Sequence, residues 1–314
     1  MRDGASPGTG RRRAGLLIAA MTAVVSGVAV FVNGYGVRAW SEVADATTYT
    51  TLKNLVAAGV LVAAAAVAGR HRSGAGFAKP QRFGQWVGLA LVAVLGGSIP
   101  FVLFFEGFSR VSSAQAAFIH KTLVIWVVVL AAIFLRERIS WAHLIAVVLL
   151  VLGQAALVGG LDQLSFGSGE RMMLAATLFW SVEVIIAKRL LADVTPLTVG
   201  VARMAGGATL LVGYGIARGS FGQLAAVSGR HLMWILLTGL VLAIYVAGWY
   251  AALARAQAVD VTAVLVGGAL ITALLRLGAE GVMVPSVNGL GLVAGGVVVA
   301  MFAARRRPVL AGPQ

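Results

Sequence analysis

A chain of 314 residues that is 60% hydrophobic and 11% charged carries more apolar side chain than a soluble core of that size can hide, which points to an integral membrane protein. Its net charge of +14 raises nucleic acid as a partner. The basic residues, however, sit in short gaps between apolar runs rather than in stripes mixed with polar and aromatic residues, so anionic lipid headgroups fit better. The chain has no cysteine, which excludes disulfides, thiolate metal sites and cysteine nucleophiles.

Residues 1–13 read as a disordered basic tail that ends in Arg11, Arg12 and Arg13. Such a cluster is also the n-region of a cleaved signal, twin-arginine included, but the apolar run behind it outlasts a signal's h-region. Ten apolar runs of about 20 residues follow, at 14–35, 49–68, 85–108, 112–135, 141–158, 171–190, 197–217, 231–253, 259–281 and 287–303. With the N-terminus in the cytoplasm, that side receives sixteen basic residues, among them Arg70, Arg72, Lys79, Arg82, Arg136, Arg138, Lys188, Arg189 and Arg305 to Arg307. The other side receives six: Arg38, Arg110, Arg171, Arg218, Arg230 and Arg276. Both termini are therefore expected in the cytoplasm, with residues 305–314 a C-terminal tail. Arginine-rich, lysine-poor usage is that of a GC-rich bacterial genome, so the expected location is a bacterial plasma membrane. Trp40, Trp86, Trp141 and Trp234 fall at span ends, where an aromatic belt forms. Trp126, Trp180 and Trp249 lie inside spans, as core packing or as stacking surfaces for a ligand.

The two halves resemble each other. Residues 22–35 (T-A-V-V-S-G-V-A-V-F-V-N-G-Y) align without gaps on 177–190 (T-L-F-W-S-V-E-V-I-I-A-K-R-L), and 108–117 (F-S-R-V-S-S-A-Q-A-A) on 253–262 (L-A-R-A-Q-A-V-D-V-T). The offset falls from 155 to 145 residues because the basic loop 69–85 is longer in the first half. Five spans per repeat is an odd number, so the second copy enters from the opposite side. The expected fold is all-α, ten transmembrane helices as two inverted five-helix repeats, at 14–160 and 171–304.

From about residue 14 to 304 the chain resembles the EamA type of the drug/metabolite transporter superfamily. F-L-R-E-R-I-S at 134–140 is similar to the family's F-L-G-E-R-L-S boundary at the end of the fourth span, and G-A-E-G at 278–281 is its weaker echo in the ninth. Lys53 in T-L-K-N-L and Arg203 in V-A-R-M-A stand where the family usually has arginine. The resemblance implies a central cavity between the repeats and movement of small organic solutes, often outward. The family's proline early in the fourth and ninth spans is replaced by Val124 and, approximately, Gly267. A proline break thus has no residue to carry it in the fourth span, whereas Gly267 and Gly268 can loosen the ninth.

An ionised side chain at the centre of a lone helix costs roughly 2.5 to 3.5 kcal/mol on insertion scales, so intramembrane charges should face protein or water. Lys121 lies about 14 Å and Glu183 about 18 Å below the same boundary at 1.5 Å per residue. In the EamA arrangement the fourth and sixth helices both border the cavity, which allows a Lys121–Glu183 pair, either as a structural salt bridge or as a site in which Lys121 receives a carboxylate and Glu183 an amine. Glu183 or His120 is also a candidate for a coupling proton. His120 points about 100 degrees from Lys121, so it reads better as a satisfied histidine between helices. Trp126, Trp180, Tyr245 and Trp249, with Asn33 and Gln115 behind them, are further solute-contact candidates. Glu106, Lys53 and Arg203 are candidate coupling or gating charges, with snorkelling to headgroups the plainer reading of Lys53.

The expected function is secondary transport of a small amino-acid-like, zwitterionic or amphipathic metabolite, as an exporter. A drug or toxic-metabolite efflux pump of the same fold is the alternative, and a membrane enzyme or a scaffold is more remote. There is no D-D-x-x-D and no H-E-x-x-H, and the histidines at 71, 120, 143 and 231 are too scattered for a metal site. No cofactor, catalytic residue or metal ligand is expected. The expected partners are the solute, the bilayer and protons, with the chain a monomer or homodimer.

Overall fold

The computed structural model describes residues 7–70, 76–111, 113–157, 167–222, 224–281 and 286–305, and every structural statement here concerns those residues. All regular structure among them is helical, as a lipid environment demands, because a helix satisfies its backbone within one segment. The first half comprises α1 (Pro7–Trp40), α2 (Ala46–Arg70), α3 (Phe83–Gly97), α4 (Ile99–Phe108), α5 (Ser113–Lys121), α6 (Leu123–Leu130, running into a π-helical turn Ala131–Leu135) and α7 (Trp141–Leu157). The second comprises α8 (Ser168–Leu190), α9 (Pro196–Val201), a π-helical turn Ala202–Gly206, α10 (Gly207–Ala217), α11 (Gly229–Leu253), α12 (Ala258–Val266), α13 (Gly268–Glu280) and α14 (Val287–Arg305).

Eight helical segments are long and apolar enough to cross a membrane, against the ten expected. The α7 helix is shorter, at 17 residues. The α8 helix is long enough, but Glu170, Arg171, Glu183, Lys188 and Arg189 dilute its apolar character. Helix α1 starts at Pro7, so Arg11 to Arg13 lie in its first turns rather than in a tail.

Four segments are interrupted. Between α5 and α6 the break falls at Thr122 without any proline. Its hydroxyl donates to the carbonyl of Ile119 at 2.7 Å, and the amide of Ile125 turns back to the Thr122 carbonyl at 2.9 Å. That three-residue spacing tightens the turn, as hydroxyl back-bonding does. Between α12 and α13 the same tightening occurs at Gly267, whose amide reaches the Val264 carbonyl at 3.0 Å and whose carbonyl receives Leu270 at 3.0 Å. The missing proline therefore did not remove the break from the fourth segment. The α3–α4 break lies at Ser98, just before Pro100, and the π-helical turn Ala202–Gly206 separates α9 from α10.

Packing pairs α1 with α11, α3 and α4 with α8, α2 with α11, α3 with the Ala202–Gly206 turn, α6 with α12, and α7 with α14. Glycines set two of these approaches. A Cβ at Gly97 would strike the carbonyl oxygen of Arg203 and the Cα of Gly207, and one at Gly239 would strike the Lys53 carbonyl at 2.8 Å and Val56 at 2.6 Å. The largest core cluster runs through Val92, Val127, Val184, Met204, Val246, Trp249 and Tyr250, while Phe83, Trp141, Met21 and Leu17 are exposed, as lipid-facing residues are. Of the expected belt residues, Trp86 and Trp141 are exposed, but Trp40 is buried and donates to the His231 carbonyl at 3.0 Å.

Candidate functional site

The buried polar centre lies where α3, α8, α11 and the Ala202–Gly206 turn meet. Glu183 is 1% exposed and Arg203 7%. Arg203 approaches the Glu183 carboxylate at 3.6 Å and donates Nε to the Gly96 carbonyl at 3.2 Å. The Tyr250 hydroxyl donates to the other carboxylate oxygen at 2.6 Å and receives Arg203 at 3.4 Å. The Trp180 indole donates to the same Gly96 carbonyl at 3.0 Å. Glu183 is thus engaged by Arg203 and Tyr250, not by Lys121 as depth alone had allowed. The π-helical turn projects Arg203 into the bundle, and Gly96 has no side chain to block it: a Cβ there would meet Glu183 at 2.6 Å and Arg203 at 3.4 Å.

Beside this centre, α4 and α8 build an aromatic wall. Trp180 meets Phe101 edge-on at 5.5 Å and Phe104 at 5.4 Å, and the His120 ring lies 5.4 Å from Phe104 and 5.1 Å from Trp180. His120 is packed between helices, yet its buried Nδ1 has no hydrogen-bond partner, and neither does the buried Nε1 of Trp126. Lys121, the last residue of α5 before the break, is partly buried and carries no hydrogen bond or ion pair among the described residues. Trp249 is buried in the main core and Tyr245 packs against it.

The other expected charges are placed elsewhere. Lys53 is 4% exposed, so it does not snorkel; burial among α1, α2, α4 and α11 holds it in the bundle. Its Nζ donates to Asn33 Oδ1 at 2.9 Å and lies 4.3 Å from the Phe105 ring centre and 5.2 Å from that of Tyr49. Glu106 sits at the end of α4, receives Thr47 at 3.3 Å, and pairs with Arg110 at 3.7 Å and Arg218 at 3.9 Å. Gln115 has a partner within the chain.

At the opposite end of the bundle, F-L-R-E-R-I-S is tied to the α11–α12 connection. The Glu137 carboxylate accepts the amides of Ala258 at 2.8 Å and Val259 at 3.2 Å, the free donors at the start of α12. Burial raises its pKa above the ordinary carboxylate range, with the two amides pulling the other way. Asp260 binds Arg12 at 2.8 Å and His143 at 3.1 Å. Lys188 donates to the carbonyls of Leu253 and Ala256, both at 2.6 Å, at the end of α11. His143 and His231 each receive the amide of the serine three residues earlier at 3.0 Å, which makes them helix-start caps.

Sequence reasoning missed Tyr250, Gly96, Phe104 and Asp260. Tyr250 carried a usable signal, since the 145-residue offset sets it opposite Phe105, and both rings lie beside the basic residue of their own half.

No curated protein matches the chain. It is similar in fold to a solved crystal structure at a TM-score of 0.74 and 19% identity, covering 94% of this chain and 100% of that one. Residues 13–159 match the EamA-like transporter family. Over that segment the chain is similar to the EamA-like transporter family, within the drug/metabolite transporter superfamily.

Proposed function

We propose that the protein is a secondary transporter that moves a small organic metabolite, amphipathic and bearing an acid group, outward across a bacterial plasma membrane by alternating access, with both termini in the cytoplasm. The observation that carries this reading is Lys121: a cation without a partner, at the end of a broken helix, next in sequence to a histidine seated on an aromatic wall. A scaffold gains nothing from such a charge. In the proposed site Lys121 receives the solute's acid group, and Phe104, His120 and Trp180 face its apolar body.

The ten-helix, inverted-repeat reading is supported by matched features. The breaks at Thr122 and Gly267 fall in the fourth and ninth spans, and α1 on α11 answers α4 on α8. Gly97 admits the Arg203 carbonyl as Gly239 admits that of Lys53. Inverted repeats of this kind suit alternating access around a midplane site. With Glu183 occupied by Arg203 and Tyr250, an amine on the solute has no free carboxylate to meet there.

The reading is tested by comparing metabolites in cells with and without the protein, then measuring uptake of the differing compounds into proteoliposomes at two pH values. Protein-dependent movement of one compound supports transport, and a pH-dependent rate supports proton coupling. Turnover of a compound in detergent, where no gradient exists, would replace transport with enzymatic chemistry.

A further inference from the structure

The deeply placed charges do not balance. Lys53, Lys121 and Arg203 stand against Glu183, and Glu183 is taken by Arg203. Lys53 has the harder position to explain, being buried with an amide oxygen and two ring faces for company and no carboxylate within ion-pair distance among the described residues. Its counterpart in the second half is Arg203, likewise buried and likewise beside a ring, Tyr250. The difference lies in the partner: the 155-residue offset that aligns α1 with α8 puts Val28 where the second half has Glu183. The first half has kept the cation and lacks the acid.

Other unmet groups lie on the same side of α2. The Thr50 hydroxyl and both amide atoms of Asn54 have no partner, and the two residues are 1% and 0% exposed. At 100 degrees per residue, positions 50, 53 and 54 fall within an arc of about 100 degrees, so one face of α2 carries an ammonium, a hydroxyl and an amide. These are the donors an oxyanion needs.

We propose that the solute is an organic anion and that Lys53 is a binding residue for its carboxylate or phosphate group, which supplies the counter-charge the first repeat lacks. Lys53 and Lys121 lie about 10 and 12 Å from the helix starts that face the same side of the bundle. Phe105 and Phe104 of α4 stand between Lys53 and His120. An anion held by Lys121 on one flank of that aromatic strip has Lys53 on the other. Zwitterions and cations are disfavoured by the uncompensated positive charge. This inference rests on the transport reading above.

The test loads proteoliposomes with a polar metabolite extract of the expression host and identifies by mass spectrometry what leaves, with protein-free vesicles as the control. Wild type should release oxyanions, and the masses separate carboxylates from phosphates. Lys53→Met should slow that release by more than about thirtyfold, as truncating a buried charge that binds its partner does, while Lys53→Arg retains most of it. Asn33→Asp turns the present partner of the Lys53 ammonium into an internal acid and should slow release as Lys53→Met does. If Lys53→Met does not insert, Asn33→Asp and Lys53→Arg decide in its place. Release of only cations or neutral solutes, or of anions at the wild-type rate from Lys53→Met or Asn33→Asp, overturns the proposal and leaves transport standing. A wild type that releases nothing removes the transport reading and this inference with it.

Discussion

Glu183 and Arg203 meet 3.6 Å apart in the middle of the bundle, and the Tyr250 hydroxyl closes the arrangement at 2.6 Å from the carboxylate. Each of the three comes from a different segment: α8, the π-helical turn and α11. Removing one partner of a buried pair strands the other charge, so Arg203→Ala should cost about 3 to 5 kcal/mol. Tyr250→Phe should cost less, about 1 to 3 kcal/mol, because it leaves an acceptor unsatisfied while the ion pair persists. Thermal unfolding of the purified variants in detergent gives both values. A double-mutant cycle between Glu183→Gln and Arg203→Ala should show strong coupling.

Glycine contacts between the two halves of the chain give a sharper packing test. Gly97→Ala and Gly239→Ala push a methyl into backbone, and should each lose about 1 to 3 kcal/mol. Gly59 and Gly213 have nothing within 4 Å of an added Cβ. Alanine at either should be neutral or stabilising by about 0.5 to 1 kcal/mol, the helix-propensity gain. If the Gly97 and Gly59 variants melt alike, the close approach of α3 to Arg203 is wrong.

Two neighbours in F-L-R-E-R-I-S make separate predictions. Arg136 has φ 53 and is exposed, a left-handed conformation at the position where the family motif has glycine. Arg136→Gly should therefore stabilise by about 1 kcal/mol. Glu137 behaves differently: its pKa is raised by burial, so the folded state holds that proton more tightly than the unfolded one. Stability from this group is present below the ordinary carboxylate pKa and falls as pH rises through the elevated value. Unfolding followed from about pH 4 to 8 should show that decline in wild type and a flatter profile in Glu137→Gln.

The helical, membrane-spanning character was legible because apolar runs of the right length have few other uses. The break at Thr122 was not, because it comes from a side-chain hydrogen bond rather than from a residue that cannot be helical. The partner of Glu183 was illegible for a geometric reason. Counting residues along two helices gives the depths of Lys121 and Glu183 but not the rotation of either helix. Arg203 reaches Glu183 through a π-helical turn, which has no sequence marker comparable to proline. Lys53 was visible as a charge, but whether it rose to the headgroups or stayed inside depended on Asn33, Tyr49 and Phe105, which lie on three different helices.

In the proposed transporter Lys121 faces the solute, while Glu183 belongs to the frame. The most direct measurement is protein-dependent solute release from proteoliposomes containing wild type or Lys121→Ala, with insertion and monodispersity checked in the same preparations. The prediction is a Lys121→Ala protein that inserts, stays monodisperse and melts near wild type, yet releases no solute above protein-free vesicles. Release at the wild-type rate, or a Lys121→Ala protein that fails to fold, would contradict it.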